Sequence, residues 1–457
     1  MAKNSFNKAI SYYQSNFEEV FQQLLELLSI PSVSTSKTHE RDIQRAADFL
    51  VKKMKELGFS KVKAYPTERH PIIFGEYLTD PEKPTILIYG HYDVQPPDPL
   101  DQWQTAPFDP QVRNDHLYAR GSSDMKGQIW ATLSALQSIL QTSRLPVNVK
   151  YLIEGEEEIG SPSLDDFLEE NKSLLACDLI LNPDAGMLAP DQPTIIYALR
   201  GMAYFELRLY GPKADLHSGV FGGVIGNPAN ILSKVIAGMH DDKGRVTLPG
   251  FYNNVQKISD DERTQLSMLG MDEGFFLNIT HVPALAGEEG FSPIERIGAR
   301  PTLDVNGLYA GYIKDGAKTI IPAYAMAKIS TRLVPDQDPK EVHRSMQTYL
   351  EENVPDSVRW ELDLLSGAPA YITEEEAPGV EAFSDALENT WGVTPLKKRE
   401  GGSIPVATSM KNILGVNSII TGFGLPDDQI HSPNERLHIP THKKGVEALI
   451  RFFLSYQ

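Results

Sequence analysis

Apolar residues at Phe17, Val20, Phe21, Leu24, Leu25 and Leu28 recur at helical spacing, so residues 17–28 are predicted to form an amphipathic helix. Ser29-Ile30-Pro31-Ser32 ends it, because the residue before a proline is pushed out of the helical region. A second helix is predicted over 41–57, closed by Gly58. Strands and helices then alternate. The apolar run 85–89, between Pro84 and Gly90, reads as a buried strand. A helix over 126–141 carries Ile129, Leu133, Leu136 and Leu140 on one stripe, followed by strand 147–153, a short helix near 163–170 and strand 178–182. Alternation of this kind predicts a mostly parallel sheet with helices on both faces.

After about residue 198 the pattern changes. Residues 202–210 alternate polar and apolar, as a half-buried strand does. A helix near 227–239 has Asn227 as its cap and Pro228 at its first position. Strands near 303–312 and 324–334 come next, then a helix opened by Asp338-Pro339-Lys340-Glu341 in a capping-box arrangement, then a strand near 357–363. Strand–helix–strand–strand–helix–strand is the ferredoxin-like order. Residues 241–300 show no clear period. A helix (379–391), a strand (416–423) and a last amphipathic helix (443–456) complete the chain. The expected architecture is a discontinuous α/β domain, 1–198 and 373–457, interrupted by a smaller α+β domain over 199–372.

A chain of 457 residues is too long for one ordinary core, which agrees with two domains. Hydrophobic residues make up 41% and charged residues 23%, as in soluble globular proteins. The net charge of −18, from 43 basic and 61 acidic residues, argues against nucleic acid or an anionic membrane as partner. The single cysteine, Cys177, excludes an intramolecular disulfide and a cysteine-based zinc site, and reads as an inert core residue. The first residues lack the apolar region of a secretory signal, and no stretch has the length of a membrane-spanning helix. A reducing cytoplasm is the expected setting.

Candidate chemistry gathers at strand ends. His91-Tyr92-Asp93 closes strand 85–89, and the ligand edge of an open α/β sheet lies at the C-terminal ends of its strands. Asp93, two residues on, can hold the other ring nitrogen of His91. Asp124, in Arg120-Gly121-Ser122-Ser123-Asp124-Met125-Lys126-Gly127, reads either as a helix cap or as a ligand. The acidic run Glu154-Gly155-Glu156-Glu157-Glu158 follows strand 147–153, and reads either as a solvated loop or as acids that a cation relieves. Asp184, in Asn182-Pro183-Asp184, is by itself an ordinary turn aspartate, and His431, in Gln429-Ile430-His431-Ser432, an ordinary loop histidine. Together, two histidines and three carboxylates after strands of one sheet would make a two-cation site bridged by a carboxylate. One further glutamate would be free for proton transfer.

These motifs resemble the co-catalytic zinc metallopeptidase family that contains carnosinase, the aminoacylases, glutamate carboxypeptidase and succinyl-diaminopimelate desuccinylase. The resemblance runs from Ser29-Ile30-Pro31-Ser32-Val33-Ser34 to Pro433-Asn434-Glu435. It is strongest for the carnosinase-like dipeptidases, in Asp93-Val94-Gln95-Pro96, Leu216-His217-Ser218-Gly219, Arg332-Leu333-Val334-Pro335 and Arg399-Glu400-Gly401-Gly402-Ser403-Ile404-Pro405. It implies a zinc-peptidase-like catalytic domain with an inserted ferredoxin-like lid and dimerisation domain.

The resemblance also implies residue roles. His91, Asp124 and Asp184 would hold one metal, and Asp124, Glu158 and His431 the other, with Asp124 bridging. Glu157 would be the general base and acid, and Asp93 would orient His91. The pair of glutamates before Ile159-Gly160-Ser161 selects Glu157 and Glu158 from the three consecutive acids. A cis peptide between Asp124 and Met125 is expected by analogy. His217 would stabilise the oxyanion from the partner subunit of a homodimer. Arg332 would clamp the substrate's terminal carboxylate, with Thr319 and Ser403 adding hydrogen bonds. The implied activity is hydrolysis of dipeptides by a metal-bridged hydroxide, with two divalent ions per subunit. Zinc is the first expectation; manganese and cobalt are the alternatives. An N-acyl amino-acid deacylase would share every ligand, and an inert metal-binding scaffold would share the fold. Pro183 stands where relatives commonly carry serine, which stiffens the loop before Asp184.

Overall fold

The computed structural model describes residues 2–373, 377, 379–402 and 405–456. The chain divides into two compact units: Met1–Tyr197 with Thr373–Lys397 and Ser409–Gln457, and Ala198–Ile372 with Lys398–Thr408.

The first unit is built on a mixed sheet. Its centre is parallel: Asn148–Glu154, Thr85–His91, Leu179–Asn182 and Ser418–Ile420 lie side by side in that order. These are the apolar runs visible in the sequence, and they are buried almost throughout because helices cover the sheet. The flanks are antiparallel. Ile72–Tyr77 pairs with Asn148–Glu154, Ser60–Tyr65 pairs with Ile72–Tyr77, and Ile196 of Thr194–Leu199 pairs with Ile420. The mostly parallel expectation therefore describes the centre, while the flanking pairs are antiparallel. Because the four central strands run the same way, His91, Glu154, Asn182 and Ile420 all end at one edge.

Helix Lys126–Thr142 is buried on nearly every face, packed against Ala2–Ser15, Phe17–Leu28 and Ile439–Ser455. At its start the fully buried Lys126 ammonium donates to the carbonyls of Leu27 (3.2 Å) and Ile30 (2.7 Å). These carbonyls lie at and just beyond the C-terminal end of the Phe17–Leu28 helix, where acceptors lack intrahelical partners. Just beyond, Ser32 Oγ donates to the Tyr92 carbonyl (2.6 Å), and Val94 N–H donates to the Ser32 carbonyl (2.9 Å). The Ser29–Ser34 motif thus braces the segment that carries His91 and Asp93.

The second unit has an antiparallel sheet in the order Thr302–Ala310, Tyr324–Leu333, Gly201–Tyr210, Arg359–Ala368. Helices Pro228–Ala237 and Pro339–Asn353 complete the ferredoxin-like order. Ala203, Phe205, Leu207 and Leu209 alternate into its core with Ala325, Ala327, Ile329 and Leu333. Asn227 caps its helix through the Ala229 N–H, as the sequence suggests. Asp338 caps through the Lys340 N–H instead of forming the expected box. A capping box is present at Ser292 and Glu295, inside the stretch without a sequence period. That stretch holds the short helices Asp260–Ser267, Glu273–Thr280 and Pro293–Gly298. Lys398–Thr408, expected to complete the first domain, sits with this unit because Arg399 pairs with Glu262 and the Gly401 carbonyl accepts from Arg200. No helix among the described residues is long and apolar enough to cross a membrane.

Candidate metal centre

His91 ends a central strand with its ring wholly buried. Its Nδ1 lies 3.1 Å from the Asp93 carbonyl and 3.4 Å from Asp93 Oδ1. Its Nε2 points at three acids: Asp124 Oδ1 at 3.1 Å, Asp184 Oδ1 at 3.8 Å and Glu157 Oε2 at 4.0 Å. One nitrogen is fixed by main chain and carboxylate while the other faces the cluster, the arrangement a metal-binding imidazole needs.

Asp124 is not a helix cap. The N-cap of Lys126–Thr142 is Met125, without a side-chain cap bond, and the Asp124–Met125 peptide is cis. The freed Asp124 carboxylate faces both imidazoles, Oδ1 to His91 and Oδ2 to His431 Nε2 at 2.9 Å. His431 also lies 3.2 Å from Glu158 Oε2. Ligand atoms of His91, Asp124 and Asp184 lie within 4.8 Å of one another, and so do those of Asp124, Glu158 and His431.

The electrostatics follow from crowding acids around two imidazoles in a poorly solvated place. Burial pushes Glu157 up to about 9, reinforced by Asp184, Glu158 and Asp124 and opposed by His91. Burial also raises Asp184. For Asp124, hydrogen bonds from His431 and His91 outweigh burial and hold it well below the usual carboxylate range. His431 is pushed up to about 10 by its bonds to Asp124 and Glu158. Against burial, bonds to Asp124 and Asp184 raise His91 as well. The donor chemistry fits divalent cations that accept nitrogen and oxygen ligands: two imidazoles, two carboxylates of separate sites and one carboxylate shared between them.

The three consecutive glutamates take separate tasks. Glu156 is buried and turned away from the cluster, accepting from Thr67 Oγ1 (2.7 Å), His70 N–H (2.8 Å) and Ser163 Oγ (3.1 Å). Glu157 and Glu158 face the histidines. Their backbone N–H groups donate to Asp93 Oδ1 (3.3 Å) and Oδ2 (3.1 Å). Asp93 therefore ties the His91 strand end to the loop that presents both glutamates.

Other contributors went unassigned in the sequence, although their motifs were legible. Gln95 Nε2 donates to Glu158 Oε2 at 2.9 Å. Glu435 is fully buried and accepts from Arg120 Nη1 (2.7 Å) and from the N–H groups of Gly121 (2.9 Å), Ser123 (3.0 Å) and Asp124 (3.1 Å). It welds the Asp124 loop to the His431 loop. Buried Asp428 adds a bond from Ser123 Oγ at 2.7 Å. In the same loop Gln429, His431 and Asn434 have φ of 56°, 62° and 64°, a costly left-handed backbone that such anchors sustain.

His217, Thr319 and Arg332 lie in the second unit. His217 is exposed and its Nδ1 accepts from the Gly219 N–H at 3.0 Å. It sits in a two-stranded pairing with Ile320, and the Thr319 carbonyl accepts from Ser218 N–H, so His217 and exposed Thr319 are neighbours. Arg332 is half-buried near the end of a central strand, in register with Met202 and Thr302. Ser403 lies outside the described residues. Cys177 is partly exposed and unpaired, with burial pushing its thiol up to about 12.

A model of peptidase family M20/M25/M40 matches residues 87–455. A Cys-Gly metallodipeptidase of Candida albicans is 30% identical over 456 residues, covering 94% of this chain and 92% of the relative. A Beta-Ala-His dipeptidase of Mus musculus is 29% identical over 391 residues, covering 84% of this chain and 80% of the relative. Among solved structures, an M20 family metallo-carboxypeptidase from Sulfolobus solfataricus matches with a TM-score of 0.84 at 32% identity, covering 96% of this chain and 99% of that one.

Proposed function

Since this chain belongs to peptidase family M20/M25/M40, we propose that it is a metal-dependent dipeptidase whose substrates carry a free C-terminal carboxylate. The observation that carries the reading is Asp124, with one oxygen toward each of two histidines and Glu157 left over beside them. The relatives named as metallodipeptidase and dipeptidase support it over most of the chain.

In this reading His91, Asp124 and Asp184 hold one divalent cation, and Asp124, Glu158 and His431 the other. When bound, the pair acidifies a water and polarises the scissile carbonyl. Glu157 takes a proton from the attacking water and later gives it to the departing amine. Glu157 lies 4.0 Å from His91 Nε2 and outside both groups of candidate ligands, which leaves its carboxylate for proton transfer. Asp93 fixes the tautomer and direction of His91. Arg332 and Thr319 receive the substrate's carboxylate, with Ser403 as a further donor. His217 supplies a hydrogen bond to the oxyanion of a partner subunit in a homodimer. Zinc is the metal we favour, and a cytoplasmic enzyme the setting.

A carboxypeptidase is the second reading, favoured by the likeness to the Sulfolobus structure. The deciding experiment is a product assay on matched dipeptides, longer peptides and N-acetyl amino acids with each candidate metal. Preference for dipeptides is expected. Preference for longer peptides would select the second reading, and preference for the acyl series would make the protein a deacylase.

A further inference from the structure

Arg200 stands just before strand Gly201–Tyr210, and it is half-buried with no carboxylate at ion-pair distance among the described residues. Its Nε donates to the Gly401 carbonyl at 3.0 Å and its Nη1 to the Arg296 carbonyl at 3.5 Å. Its own N–H donates to the Glu400 carbonyl at 3.3 Å. The Gly401 turn is packed tightly around it. A Cβ at Gly401 would lie 2.6 Å from Ile297 Cγ2 and 3.3 Å from Arg200 Nη2. Arg399, two residues earlier in strand Leu396–Glu400, pairs with Glu262. Helices Asp260–Ser267 and Pro293–Gly298, in the stretch without a sequence period, therefore form the seat of the Gly-Gly turn.

Arg200 is also close to Arg332. Met202, two residues after Arg200, is in register with Arg332, and so is Thr302 on the other side. Arg200 and Thr302 line the same cavity of about 530 Å³. Burial and then the like charge of Arg332 press the Arg200 guanidinium down to about 10, with Asp304 and Glu400 only partly relieving it. Two arginines at neighbouring register positions, with no carboxylate at ion-pair distance from Arg200 among the described residues, form a place where an added carboxylate gains from both.

We propose that Arg200 is a specificity-determining and positioning residue for the substrate's terminal carboxylate, adding its charge to that of Arg332 and fixing the Gly401–Gly402 turn. This rests on the reading of Arg332 as the carboxylate clamp. The anion is the α-carboxylate of the C-terminal residue, and the cost of holding two like charges together is recovered only when that anion arrives.

The test is steady-state kinetics on a dipeptide and its C-terminal amide, using the metal-loaded enzyme and the variants Arg200→Met, Arg200→Lys and Arg332→Met. For Arg200→Met the dipeptide KM is expected to rise about tenfold or more with kcat within about threefold, because binding and not chemistry is lost. The preference for acid over amide should fall by about the same factor, since the amide offers no charge to recognise. Arg200→Lys keeps a positive charge and should retain most of the preference. A merely structural role would lower activity on both substrates alike and leave the ratio unchanged, and that result overturns the proposal. If Arg200→Met does not fold, Arg200→Gln is read for the same ratio in its place, and an unchanged ratio in that variant overturns the proposal. No preference for acid in the unaltered enzyme, or no loss in Arg332→Met, would instead defeat the Arg332 reading.

Discussion

The carboxylate of Asp93 accepts the backbone N–H of Glu158 at 3.1 Å and that of Glu157 at 3.3 Å. The same side chain stands 3.4 Å from His91 Nδ1. One residue thus couples a proposed ligand on a strand end to the loop that carries a second proposed ligand and the proposed base. Asp93→Ala is expected to weaken metal binding about 10–100-fold, and turnover at limiting metal with it. Competition with a chelating indicator measures the first effect. Asp93→Asn, which keeps one acceptor oxygen, should fall between.

Glu157 faces the histidines but belongs to neither group of candidate ligands. Glu157→Gln keeps its size and removes its basicity. Metal content should stay near normal while kcat falls by about 10²–10⁴-fold. Elemental analysis of the variant beside its rate separates this from ligand loss, which would lower both.

Exhaustive treatment with a chelator should abolish activity, and two equivalents of a divalent ion per chain should restore it. The titration is read by calorimetry and by assay on the same sample. Full activity in stringently metal-free protein would overturn the metallopeptidase mechanism for this chain.

Glu435 gathers donors from Arg120, Gly121, Ser123 and Asp124 with no exposure to solvent. Glu435→Gln replaces an acceptor oxygen with an amide that faces those donors and leaves Arg120 buried without its acid. The expected loss is about 3–5 kcal/mol in denaturant unfolding. The metal site should loosen as well, since the Asp124 loop hangs on this side chain.

His442 is buried, with Nε2 2.9 Å from the Gly127 carbonyl. Burial pulls it from 6.5 down to about 4, against the opposing carbonyl. Between these values the unfolded chain binds more protons than the folded one. Stability from this residue is complete above pH 6.5 and declines as pH falls toward about 4, by on the order of 3 kcal/mol. His442→Gln should flatten that part of the profile, which urea unfolding at stepped pH would record.

How much of this was legible in the sequence varies with the physics involved. The four central strands announced themselves because burial on both faces demands continuous apolar runs. The candidate ligands were legible only together and through the family resemblance, since Asp124, Asp184 and His431 each read alone as an ordinary cap, turn or loop residue. Strand Ser60–Tyr65 was missed because it lies at the sheet's edge and buries little, so Lys61 and Lys63 break its pattern. The helices within 241–300 are short and partly exposed, and carry no stripe long enough to detect. Glu156 and Glu158 are identical letters two apart, and only the Thr67, His70 and Ser163 contacts reveal that one is scaffold. Glu435 stood in a recognisable motif, yet its role depends on donors more than 300 positions away in the chain.

Lys126 places its ammonium against carbonyls near the end of an N-terminal helix, and Ser32 grips Tyr92 beside His91. The first turns of the chain are therefore not a trimmable leader to a self-sufficient enzyme core. A fragment beginning after Ser34 would strand a cation in the interior and release the strap over the strand end. Minimisation, permutation or proteolytic nicking at that end should be felt at the metal site, far along the sequence from the cut.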